Sequence, residues 1–123
     1  MTADVQAVRA RLRADLVAAM KERRKDAVTA LRTTLAAIDN AEAVAPAGPT
    51  GKATSEHVAG AHVGLGAAEA ERLLLTAGDV RAIIEEQVAE RRAEADRYDA
   101  LGRPDAADRL RREAAALDPY LAG

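Results

Sequence analysis

Apolar residues in this chain recur at steps of three and four, and no stretch alternates apolar and polar residues in the two-residue rhythm of a strand. That spacing lines up the apolar side chains of each stretch on one face of an α-helix. Val5, Val8, Leu12, Leu16, Ala19 and Met20 mark a first helix from about Ala3 to Arg23. Thr2 is its expected N-cap, and Asp4 sits in the first turn, where the helix dipole favours an acid. Val28, Leu31, Leu35 and Ile38 mark a second helix from Asp26 to Ala43, and the very short connection predicts an antiparallel hairpin.

A third helix begins after Thr76, which has the capping-box spacing to Asp79. Its stripe is Val80, Ile84, Val88, Ala95, Tyr98 and Leu101, with Ile83 beside it and Arg91 falling on the same line. Gly102 is placed to end this helix and Pro104 to open a fourth, whose inner face is Ala107, Leu110, Ala114 and Leu117, with Pro119 as its stop. Between the pairs lies a stretch rich in breakers, Ala45-Pro46-Ala47-Gly48-Pro49-Thr50-Gly51-Lys52, followed by Gly60, Gly64 and Gly66. The expected architecture is all-α, with four amphipathic helices forming two packed helical hairpins in one domain. Residues 1–43 form the N-terminal hairpin, 44–75 a long flexible central loop with a weak helical turn near Ala67 to Glu71, and 76–121 the C-terminal hairpin.

The core must be thin, because the 123 residues include no Phe and no Trp and much of the apolar content is Ala. The absence of Cys excludes disulfides, thiol catalysis and cysteine-based metal sites. No apolar run reaches the length of a membrane span and no apolar leader precedes Asp4, so a soluble cytoplasmic protein is expected. Charge is uneven: residues 1–25 hold seven Lys or Arg against three acids, whereas the rest of the chain is net acidic.

Little of the sequence looks catalytic. Gly48 to Thr54 is a failed phosphate loop, since Pro46 stands where the first Gly belongs and Ala53 follows the Lys. His57 and His62 are the only histidines, and their spacing of five puts them on opposite sides of any helix, so no metal site is expected. Ser55, the only serine, lacks a base and an oxyanion hole. Glu85, Glu86, Glu90 and Glu94 interleave with Arg81 and Arg97 and read as a solvated face. The basic corner Lys21, Arg23, Arg24 and Lys25, extended by Arg9 and Arg13, suits phosphate contact or simply helix-end electrostatics and solubility. Arg91, a charge on an apolar stripe, needs a partner, and Glu113, four residues before Leu117, is placed to provide it.

Several of these residues carry a family resemblance. Leu16 to Lys21, Asp26, Leu31-Arg32 and Ile38 to Glu42, followed by Arg91, Tyr98, Gly102-Arg103, Asp105, Glu113, Leu117 and Tyr120-Leu121, are similar in order and spacing to the YqeY-like family. The resemblance implies kinship with the C-terminal tail of GatB, the B subunit of the tRNA-dependent amidotransferase. In that enzyme the chemistry, carbon–nitrogen ligation with glutamine as amide donor, sits elsewhere and the tail helps to hold tRNA. It therefore implies a non-catalytic module without a cofactor, whose partner is tRNA or a tRNA-handling enzyme. Lys21, Arg23, Arg24, Lys25 and Arg32 are the expected contact residues. Family members continue past the Tyr-Leu-Pro element into a smaller helical subdomain, whereas Tyr120-Leu121 here is followed by Ala122-Gly123, so a short form is expected. The alternative is a protein–protein adaptor with no RNA role.

Overall fold

The computed structural model describes residues 4–44 and 74–122. They form four helices: α1 (Val5–Lys21), α2 (Lys25–Val44), α3 (Ala77–Ala100) and α4 (Pro104–Leu117), with a final 3-10 turn at Asp118–Tyr120. No strand occurs among the described residues. The fold is all-α, as the apolar spacing requires. The expected loop, with Ser55, His57, His62 and the breaker stretch, lies outside the described residues except at its ends. There Val44 still belongs to α2, and Leu75 packs against the core.

Local chemistry sets the ends. α1 is capped by Asp4, whose Oδ1 accepts from the Ala7 N–H at 2.7 Å, so the acid expected inside the first turn is itself the cap in place of Thr2. Thr76 and Asp79 form a complete capping box on α3, with bonds of 3.0 and 2.9 Å. The two hairpin turns are built alike. After α1, Arg24 N–H donates to Ala19 O at 2.9 Å and Arg23 N–H to Met20 O at 3.1 Å; after α3, Arg103 N–H donates to Tyr98 O at 2.8 Å and Gly102 N–H to Asp99 O at 3.0 Å. Both are Schellman motifs, which need a left-handed residue just past the helix. That residue is Arg23 at φ 58° in the first turn and Gly102 at φ 75° in the second.

One core joins the hairpins. Leu12 of α1, Leu31 and Ile38 of α2, Val80, Ile84 and Val88 of α3 and Leu117 of α4 form a single buried cluster. With no Phe or Trp to fill wide gaps, the helices approach through Ala19, Ala30, Ala95, Ala107 and Ala114, all fully buried. α4 packs on both α3 and α2, whereas α1 rests chiefly on α2. Two stripe residues differ from expectation. Leu101 is 71% exposed because α3 ends there, and Met20 is 48% exposed because it lies on the flank of the α1 stripe. No helix of the described residues is long and apolar enough to cross a membrane.

Candidate nucleic-acid interface

The turn between α1 and α2 holds Arg23, Arg24 and Lys25 in three consecutive positions. The left-handed backbone at Arg23 reverses the chain within two residues and leaves all three side chains exposed, with Arg24 Nε donating to Glu22 Oε1 at 2.7 Å. They line an open hollow of about 630 Å³ together with Asp26, Ala27 and, from α4, Arg112, Ala115 and Ala116. The small side chains of Ala27, Ala115 and Ala116 leave the space, and the basic groups rim it. Arg112 Nε donates to Asp26 Oδ2 at 2.7 Å across the gap between α4 and α2. This bond from Asp26 pushes the arginine pKa up, against a smaller opposing effect of desolvation.

Not every expected contact residue belongs to this hollow. Lys21, at the end of α1, is exposed and outside its lining. Arg32 is exposed too, but its Nη2 leans on Met20 Sδ at 3.9 Å. Arg9, expected to extend the patch, is instead turned inward and only 7% exposed. Its Nη2 lies 2.8 Å from Glu42 Oε1 and 3.5 Å from Asp39 Oδ1 of α2. The contact with Glu42 is an ion pair without hydrogen-bond alignment, because Nε and Nη2 of Arg9 make no directed bond. Arg13 remains exposed. Arg112 is the residue that sequence reasoning missed: it joins the turn only through the packing of α4 on α2, 86 positions from Asp26.

Beside the hollow, a buried polar joint fixes the relation of three helices. Arg91 Nε donates to Glu113 Oε1 at 2.9 Å, Nη1 to Gln87 Oε1 at 2.8 Å, and Nη2 to Thr33 Oγ1 at 2.7 Å. Thr33 in turn donates to Thr29 O at 2.9 Å. The Arg91 and Glu113 side chains are 10% and 9% exposed, so the charge expected on the apolar stripe is present, buried and bonded on every arm. The position and satisfaction of this pair suit a joint and leave little of it open to a ligand.

The C-terminal turn is fastened separately. Tyr120 Oη donates to the Asp15 carboxylate, and the Arg11 guanidinium stacks 4.4 Å from the tyrosine ring centre. Burial, followed by the Asp15 hydrogen bond, pushes the Tyr120 pKa well up. Arg81 Nη2 donates to Leu121 O at 2.7 Å and Arg92 pairs with Asp118 at 3.1 Å. On α3, Arg81 pairs with Glu85 and Arg97 with Glu94, while Glu86 and Glu90 make no ion pair among the described residues. No group of three or more metal-ligating side chains occurs among the described residues.

Comparison of the chain with protein-family models, with curated proteins and with solved structures found no match.

Proposed function

We propose that this chain is a non-catalytic binding module for tRNA, acting alongside an enzyme of glutamine-dependent carbon–nitrogen ligation. The observation that carries the reading is the basic hollow. Arg23, Arg24 and Lys25 from one hairpin and Arg112 from the other surround one open space on a protein that is acidic overall. Guanidinium and ammonium groups around an open hollow reach phosphates without needing base contacts. The two tyrosines offer no free stacking platform: Tyr120 carries Arg11, and Arg103 lies 5.9 Å over Tyr98. Contact through the phosphate backbone therefore fits better than readout of unpaired bases. The link to amide transfer is supplied by the YqeY-like residues quoted above.

The test is fluorescence anisotropy with labelled total tRNA at low and physiological salt. With four cations engaged, affinity should fall with salt at a log–log slope of about 3 to 4. Reversing Lys21, Arg23, Arg24 and Lys25 to Glu should abolish binding while leaving the helical circular dichroism spectrum intact. Unchanged binding in that variant would remove the hollow from consideration. Loss of all binding in the native chain, even at low salt, would favour the adaptor reading, for which Val17 and Leu101, 51% and 71% exposed, offer apolar contact points. Protein partners that resist nuclease in a pull-down would then be expected.

A further inference from the structure

Among the described residues, Asp26 is the only acid lining the basic hollow, and it is bonded to the one basic residue that comes from the other hairpin. Asp26 is 29% exposed and Arg112 is 61% exposed, so the pair sits at the mouth of the space, open to solvent on the arginine side. The bond is single-pronged. Nε of Arg112 is engaged, and among the described residues neither Nη makes a hydrogen bond. The two Nη groups are open to a first contact, but a phosphate that takes the Nε edge in two-pronged fashion needs the position that the carboxylate holds, with the same geometry.

We propose that Asp26 is a built-in competitor for the ligand: its carboxylate occupies Arg112 in the free protein, and a phosphate group of the bound polyanion takes its place. Arg112 is then the fourth phosphate-binding cation of the hollow, and Asp26 sets how tightly the site holds. The inference rests on reading the hollow as a phosphate site. Three features of the molecule agree with it. An exposed ion pair is weak enough to be exchanged for a better-charged partner. The carboxylate lies among Arg23, Arg24 and Lys25, where a phosphate oxygen would gain from the same charges. Arg112 also lines a second, smaller hollow with Arg103, Arg109 and one acid, Asp105, beside the start of α4. A polyanion displacing Asp26 would meet those arginines next, which favours an extended phosphate chain over a single small anion.

The experiment uses the full chain and two probes, inorganic tripolyphosphate and labelled tRNA. Binding is followed by titration of the arginine Nε–Hε signals in two-dimensional NMR and by anisotropy. Asp26→Asn should tighten tripolyphosphate binding about three- to tenfold at low salt, since one more cation is freed for phosphate. Glu86→Gln, which removes the same charge from exposed α3, should give a much smaller gain. Adding Arg112→Ala to Asp26→Asn should cancel the gain, because the competitor acts through that arginine. Asp26 also lies in the first turn of α2, so melting curves accompany each variant. Asp26→Ser, which keeps a short polar group there, takes over if Asn unfolds the chain. A gain no larger than that of Glu86→Gln, or one that survives Arg112→Ala, overturns the proposal even if tRNA binds normally. A gain for tripolyphosphate with no tRNA binding by any variant keeps the competitor and removes the RNA reading. Absence of tripolyphosphate binding in every variant overturns the competitor outright.

Discussion

The two hairpin turns close with the same pair of backbone hydrogen bonds, one on arginine and the other on glycine. At Gly102 the left-handed backbone carries little penalty, and a Cβ built there would meet nothing within 4 Å. At Arg23 the same backbone costs about 1 to 2 kcal/mol relative to a right-handed conformation. The second turn is thus optimised for closing a helix. The first carries the strain on a cation at the rim of the hollow, which the proposed phosphate site would explain, since strain of this kind concentrates where a site needs a particular side chain.

Beneath both turns lies the buried joint of α2, α3 and α4, and the largest effect comes from breaking it. Glu113→Ala leaves Arg91 buried without its carboxylate and should cost about 3 to 5 kcal/mol in urea melts. The double change Arg91→Met with Glu113→Leu should recover most of that loss, because an apolar pair avoids the desolvation that the ion pair must offset. If Glu113→Ala melts like the native chain, the buried pair does not hold α3 and α4 together.

The second test separates the turns. Gly102→Val forces a β-branched residue into the left-handed region and should destabilise by about 1 to 2 kcal/mol, purely through backbone conformation since the space is open. Gly102→Asn should lose less. The smallest effect has the opposite sign. Arg23→Gly relieves the strained backbone but adds freedom to the unfolded chain, for a net gain of about 0.5 to 1 kcal/mol. The same change should weaken tRNA binding and lower the salt slope by about one phosphate contact. A more stable variant with undiminished binding would mean that the arginine is not kept for its charge.

The helices were legible because each follows from residues three or four apart. Thr76 with Asp79, Gly102, Pro104 and the stripe through Val80, Ile84 and Val88 all act within a turn or two of themselves. The partnership of Arg91 with Glu113 was legible for a related reason: a charge on an apolar stripe demands a partner, and the neighbouring helix offered one inward acid. The hollow was only half legible. Arg23, Arg24 and Lys25 stand together in the chain, but Arg112 reaches them through the packing of α4 on α2. Arg9 misled for the same reason. Its basic character is visible in the sequence, whereas Glu42 and Asp39 reach it only once α1 folds back along α2. Asp15 and Tyr120, 105 positions apart, give no local sign of meeting.

The arms of Arg91 reach α2, α3 and α4 at once, and this has a consequence for how the molecule breathes. None of those three helices can open alone without stranding a buried charge, so their central amides should exchange with solvent water through one shared opening. α1 lies outside that joint and rests chiefly on α2. Its amides should exchange first.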